Sequence, residues 1–228
     1  MANERSPEFR VRVFGPLACF TRPEMKVERV SYEVITPSAA RGILEAILWK
    51  PAIRWVVRAI EIHAPILFVS FKRNEVNTRA RTPSAAQIAG RAEFEHYFAD
   101  EDRAQRNTLA LRDVDYVIRA VFGMTERSGP DDNLAKFVAM FRRRLEKGQC
   151  HYMPYFGCRE FTASFEPAPP DRAPAPLSKP LGWMLHDFDF GPPIRPRFFP
   201  AKIEGGVVRV PACEATAPAS GPGPGGAA

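Results

Sequence analysis

Residues 108–122 read TLALRDVDYVIRAVF. Leu109 and Leu111 alternate with their neighbours, and Val114, Tyr116, Ile118, Ala120 and Phe122 resume the alternation one residue out of phase after Arg112-Asp113. A period of two over this length predicts a long strand with a bulge near Arg112-Asp113. Downstream, Leu134, Phe137, Val138, Phe141 and Leu145 recur at helical spacing; Asp131 or Asp132 can cap the start and Gly148 can close the end. The opposite face of that helix holds Lys136, Arg143 and Arg144. Upstream, Phe9, Val11 and Val13 alternate with Arg10, Arg12 and Phe14, the pattern of a first strand. Thr36-Pro37 gives an N-cap with proline at the first helical position, Ala40, Ile43, Leu44, Ile47 and Leu48 follow at helical spacing, and Pro51 ends that helix. Ile53 to Ile62 and Ile66 to Phe71 read as two strands joined at Ala64-Pro65.

The order is β-α-β-β-α-β, which predicts an α+β, ferredoxin-like (RRM-like) domain over 1–150, with two helices on one sheet face and the other face available. Residues 72–107 are polar and lack a sustained period, so they read as a long inserted loop in which Ala85 to Phe98 could form one helix. Most of the 23 prolines follow position 150. There Phe161 to Phe165, Gly182 to Phe190 and Val207 to Val210 read as short strands of a small β subdomain over 151–211. Residues 168–180 form a proline-rich loop, and the Pro/Gly/Ala tail 212–228 cannot bury apolar area and is expected to be disordered.

A chain of 228 residues with 45% apolar residues can build a sizeable core. A net charge of +6 and a pI near 9.3 favour polyanionic partners. No stretch approaches the roughly 20 apolar residues of a membrane span, and Met1 to Arg12 is charged where a signal peptide is apolar. The expectation is a cytoplasmic protein with no membrane partner. Cys19, Cys150, Cys158 and Cys213 are too scattered for a disulfide scaffold and read as free thiols.

Two segments carry chemistry. Lys72, Arg73, Arg79 and Arg81, with Asn74, Asn77 and Thr78, supply the donors that phosphate contacts need; a solvated loop containing Glu75 would look the same. Residues 148–161, GQCHYMPYFGCREF, are bounded by glycine and pack His151, Tyr152, Tyr155 and Arg159 into fourteen residues. Such a segment can stack bases, meet a phosphate and shuttle a proton, or it can be a packed hairpin whose aromatics are core. Zinc through Cys150, His151 and Cys158 matches no usual spacing, so no metal or cofactor is expected. Nucleotide-binding glycine loops, H-E-x-x-H and G-x-S-x-G are absent from the sequence. His63, His96 and His186 read as surface or core histidines, and Asp100-Glu101-Asp102 as a solvated turn beside Arg103 and Arg106.

The stretches 42–51 (GILEAILWKP), 72–76 (KRNEV), 105–109 (QRNTL) and 154–161 (PYFGCREF) resemble, in order and spacing, the subtype I-C group of CRISPR-associated Cas5 proteins, also called Cas5c or Cas5d. The similarity runs from Phe9 to Pro211. It implies a ferredoxin-like domain with a β extension and metal-independent cleavage of repeat RNA by 2′-hydroxyl attack. It also implies retention of the crRNA 5′ handle in a surveillance complex beside backbone and large subunits. Duplex DNA is a further candidate ligand. Characterised members resemble one another in a Tyr before Trp-Lys-Pro and a Lys-His pair at the start of the second helix; these positions match Leu48, Lys136 and Phe137 here. The reading is therefore Lys136 at the phosphorane charge with His151, assisted by Tyr152, moving protons. Lys72, Arg73, Arg79, Arg81, Arg106, Arg143, Arg144, Tyr155 and Arg159 would bind RNA. The alternatives are a noncatalytic handle-binding subunit and a generic basic nucleic-acid-binding module.

Overall fold

The computed structural model describes residues 5–25, 27–79, 81–93, 98–190 and 192–212. Its frame is the strand quoted above, which extends over Arg103–Met124 (β5). Four strands share ladders with it. β1 (Phe9–Ala18) runs antiparallel from Phe9 opposite Ala120 to Ala18 opposite Leu111. The two-residue β2 (Arg29–Val30) lies parallel beside Thr108 and Leu109. β3 (Ile53–Ile62) takes the C-terminal half and β4 (Leu67–Val76) the N-terminal half, so these sequential strands pair with β5 rather than with each other. Asp113 lies at φ 54 within β5. The expected bulge is absent from the β1 ladder, where Gly15 faces Val114 and Leu17 faces Arg112 with no extra residue.

The two ends of the segment expected to be a loop over 72–107 form a ribbon. Lys72 to Val76 continue β4 and pair with Arg103 to Asn107 of β5. Charge masked the alternation, because the ribbon's half-buried side chains, Arg73, Glu75 and Arg106, are ionic. The helix expected from Ala85 to Phe98 is one turn, α2 (Ala85–Ile88), closed by a Ser84/Gln87 capping box and followed by Gly90 at φ +68. Residues 94–97, including His96, lie outside the described residues.

Helix α1 (Pro37–Ile47) starts as its sequence predicts: Thr36 Oγ1 accepts from the Ala39 amide at 3.3 Å and Pro37 follows. It ends at Leu48, three residues before Pro51, and buries Ala40, Ile43, Leu44 and Ile47. Helix α3 (Leu134–Glu146) is capped by Asn133, whose Oδ1 accepts from the Lys136 amide at 2.9 Å. The expected caps, Asp131 and Asp132, are displaced because Asp132 instead accepts from the Gly129 amide. Phe137, Phe141 and Leu145 point inward, and Phe141 meets Phe9 and Trp55 with ring centroids 4.8 and 4.6 Å apart.

Beyond position 150 the chain joins the same sheet. β6 (Ser164–Pro167) pairs with the outer edge of β1. β7 (Lys179–Asp189) and β8 (Arg195–Glu204) form a hairpin that connects through β9 (Val207–Arg209) to β3. The order among the described residues is β6-β1-β5-β3-β9-β8-β7. Residues 213–228, with Cys213, lie outside the described residues. No described helix is long and apolar enough to cross a membrane.

The second sheet face is not bare. Arg10 binds Glu61 at 2.9 Å, Arg12 binds Asp115 at 2.8 Å and Glu166 at 2.6 Å, and Arg172 binds Asp115 at 2.7 Å. Residues 168–175 lie along this face, fixed by Ala168 N to Arg10 O and Ala175 N to Ile62 O. Burial alone would raise the Asp115 carboxyl, but hydrogen bonds from Arg12 and Arg172 outweigh it and hold the group below its usual 3.8. A depressed carboxyl stabilises the fold above the unfolded value, and that stability is lost as pH falls through 3.8 toward the lower folded value. The thermal midpoint of wild type should fall across that window, and Asp115→Asn should flatten the fall; parallel curves for the two proteins would reject this account.

Candidate functional site

The glycine-bounded segment after α3 turns back onto α1. Gly148, at φ +61, reverses the chain, and the His151 amide donates to Ala46 O in the last turn of α1 at 2.8 Å. Arg144, expected to bind RNA from the polar face of its helix, instead donates to Ile47 O and satisfies a second carbonyl at that helix end. The segment then closes on itself: Phe156 N to Phe161 O, Ala163 N to Pro154 O and Phe161 N to Cys158 O are all 2.8–2.9 Å. Phe156 and Phe161 are core, with Phe156 packed edge-on against Phe20 and Tyr116. Both sequence readings of the segment therefore hold in part. Its phenylalanines anchor it, while His151, Tyr152 and Arg159 face solvent and Tyr155 is half-buried.

Around Tyr152 lie Tyr155, Glu45, Arg41 and Arg159. Partial burial, then the neighbouring Tyr155 and Glu45, raise the Tyr152 phenol above its ordinary value, so it stays protonated near neutral pH. The His151 ring meets the Tyr152 ring edge-on at 5.9 Å. Arg41 is fixed by Glu45 at 2.7 Å and by Asp187 of β7 at 2.8 and 2.9 Å.

Lys136 sits at the other side of the chain that leaves α1. It lines an open hollow of about 290 Å³ with Lys50, Arg127, Asp132, Phe137 and Met140, and its Nζ lies 3.3 Å from Asp132 Oδ1. Leu48 and Phe137 are core residues, 0% and 2% exposed, so neither side chain is free to do chemistry. His151 and Tyr152 do not line this hollow. The three candidate catalytic residues thus flank residues 46–52 from two directions.

The candidate RNA-binding residues divide by how they are held. Lys72, Arg79, Arg81, Arg143 and Arg159 are exposed. Arg73 is bound by Glu160 and lies 3.8 Å from Glu75, while Arg106 donates to Asn77 at 2.9 Å and lies 3.7 Å from Glu75. Arg29, missed by sequence reasoning, completes this knot: it reaches Glu75 at 3.2 Å and donates to Cys158 Sγ at 3.2 Å. Hydrogen bonding from Cys19 and then Arg29 lowers the Cys158 thiol, against its burial. No short-range signal links Arg29 to partners far along the chain. Lys50 and Arg41 were also missed, although Lys50 stood within the resembling stretch 42–51.

Cys19, Cys150 and Cys158 are unbridged. Among the described residues no group of three or more His, Cys, Asp or Glu is gathered to hold a metal. His63 is buried with Nε2 3.4 Å from Glu61, and His186 contacts Pro211 O at 3.0 Å and the Phe199 ring. Asp102 closes the β4–β5 ribbon by accepting from the Thr78 amide at 2.7 Å.

The similarities of the chain agree with this layout. A family model described as CRISPR-associated protein (Cas_Cas5) matches residues 9–211. A protein of Mannheimia succiniciproducens named CRISPR pre-crRNA endoribonuclease Cas5d is 47% identical over 92% of this chain and 96% of its own length. One of the same name from Thermus thermophilus is 40% identical over 89% and 91%. Two crystal structures share the fold. One, of a CRISPR-associated protein, covers 93% of this chain and 95% of its own at a TM-score of 0.69 and 24% identity. The other, of a functionally uncharacterized Streptococcus mutans protein, covers 91% and 93% at a TM-score of 0.66 and 21% identity. The resemblance read from four short stretches thus extends over the described chain, which belongs to the Cas5d family of CRISPR-associated proteins.

Proposed function

We propose that the chain is a cytoplasmic CRISPR pre-crRNA endoribonuclease that afterwards retains the crRNA 5′ handle beside the backbone and large subunits of a surveillance complex. The observation that carries the activity is the 47% identity, over nearly all of both chains, to a relative named for it. The antiparallel order β6-β1-β5-β3, with α1 and α3 between its strands, supports a ferredoxin-like N-terminal half; residues 151–211 add the β extension. The exposed cations on the ribbon and the segment suit RNA, and duplex DNA is a second ligand of the same surface.

In the proposed reaction the ribose 2′-oxygen attacks the adjacent phosphorus, the bond to the 5′-oxygen breaks, and a 2′,3′-cyclic phosphate remains. His151 takes the 2′-hydroxyl proton, Tyr152 donates to the leaving 5′-oxygen, and Lys136 meets the phosphorane charge. No metal or cofactor enters these steps. Incubating purified protein with its cognate repeat RNA in EDTA should yield product with a cyclic phosphate; intact RNA would reject the activity. A second reading, handle binding without cleavage, is favoured by the lining of the Lys136 hollow, where Phe137 stands beside the lysine and no imidazole is present.

Binding should be strongly salt-dependent. Charge reversal at Lys72, Arg79 and Arg81 should lower the slope of log affinity against log salt by about one for each phosphate that the ribbon no longer neutralises. An unchanged slope would remove the ribbon from the RNA interface. Arg73 is unsuited to this test, since an acid there would face Glu75 and Glu160 and disturb the fold.

A further inference from the structure

The β7–β8 hairpin carries a row of exposed rings. Trp183 is 66% exposed, Phe190 67%, Phe198 41% and Phe188 38%. Pro200, Phe198 and Pro196 alternate along β8 opposite Trp183, Leu185 and Phe188, so register sets Trp183, Phe198 and Phe188 on one face. Same-face side chains along a strand recur about 7 Å apart. The Phe190 ring lies 6.3 Å from that of Phe188, and the Arg41 guanidinium lies over it at 5.7 Å. Arg41 also binds Glu45, beside Ala46 whose carbonyl accepts from the His151 amide, so the row leads from the hairpin toward the candidate site.

Four exposed rings in one row form an apolar patch of the kind that marks a binding surface. The setting selects the partner. Arg195, opposite Asp189 beside Phe188, and Arg159, near Tyr152, are exposed, and the nearby acids are already engaged, Asp187 by Arg41 and Asp189 by Arg197 at 2.7 Å. Ring faces interspersed with guanidinium groups match unpaired nucleotides, whose bases stack and whose phosphates meet cations. A duplex keeps its bases stacked internally and cannot use such a row.

We propose that Trp183, Phe188, Phe190 and Phe198 form a stacking track for single-stranded RNA flanking the repeat hairpin, leading that strand toward Tyr152; this rests on the RNA reading above. The test compares a repeat trimmed to its stem-loop with the same repeat carrying its native single-stranded flanks. Wild type should bind the flanked RNA about tenfold or more tightly than the trimmed one. The Trp183→Ala, Phe190→Ala double variant should lose most of that advantage and keep its affinity for the stem-loop. In a Trp49→Phe protein, where the other tryptophan, Trp55, is buried, flanked RNA should quench Trp183 fluorescence and trimmed RNA should not. A double variant that keeps the flank advantage overturns the track. So does one that binds both RNAs normally but no longer co-purifies with the other complex subunits, which makes the row a protein interface. Wild-type protein that binds neither RNA rejects the RNA reading itself, and with it the track, before any substitution is made.

Discussion

His151→Ala is expected to slow single-turnover cleavage of cognate repeat RNA by about 10²- to 10⁴-fold, the usual loss for a proton-transfer group, while leaving RNA affinity nearly unchanged. The separation follows from the way the residue is held. Its amide fixes the segment to Ala46 O, a bond that alanine keeps, so substitution removes the imidazole without releasing the backbone. Lys136→Ala should behave differently, lowering both rate and affinity, because a cation that meets the phosphorane also meets the ground-state phosphate. Chelator should alter neither result. An unimpaired His151→Ala protein removes His151 from the mechanism, and a Lys136→Ala protein with full affinity removes the phosphate contact.

Gly157→Ala should be among the most damaging single substitutions in the chain. Gly157 sits at φ +80, and a Cβ there would lie 2.0 Å from Cys19 O and 2.8 Å from Cys19 C. The left-handed conformation alone costs an L-residue about 1–2 kcal/mol. The overlap with backbone cannot be relieved by a rotamer change, so the segment must leave β1 and give up the Cys19 N to Phe156 O bond. A loss above about 4 kcal/mol is expected, a large part of the roughly 5–15 kcal/mol that folds a typical domain. Gly182→Ala is the control: φ is +73, nothing lies within 4 Å of the added carbon, and only the conformational cost of about 1–2 kcal/mol applies. Thermal unfolding of the two variants measures the difference, and equal midpoints would show that the segment is not clamped to β1.

The parts of the fold that were legible in the sequence are those with an apolar period. The strand around Thr108 to Phe122 and both long helices stood out because their inward faces are aliphatic or aromatic almost throughout, the buried Thr108 being an exception in the strand. The ribbon did not, since Arg73, Glu75 and Arg106 fill inward positions and are neutralised by Arg29 and Glu160, residues far apart in sequence. β8 was hidden by Pro196 and Pro200, which demote a strand; the register sets both on the outer face beside Phe198. At the candidate site, composition revealed that residues 148–161 hold His, Tyr and Arg together, but not which rings turn inward. That depends on the contacts of Phe156 with Phe20 and Tyr116. The opposite sheet face was expected to be available because the β-α-β-β-α-β order places both helices on one face, whereas Glu61, Asp115 and Glu166 reach Arg10 and Arg12 across it from other strands.

Strand β5 holds four other strands in register at once, and this sets where the chain can be lengthened. One residue added between Thr108 and Phe122 would turn every later side chain to the wrong side of the sheet, exchanging Tyr116 and Ile118 for Asp115 and Val117. Among the described residues of the connection from Asn77 to Asp102 none has a strand partner to stay in step with, and Gly90 has nothing within 4 Å of its α-carbon substituent position. A peptide tag or fluorescent reporter grafted after Gly90 would therefore ride on the tip of the ribbon while each hydrogen-bonded pair of the sheet keeps its partner.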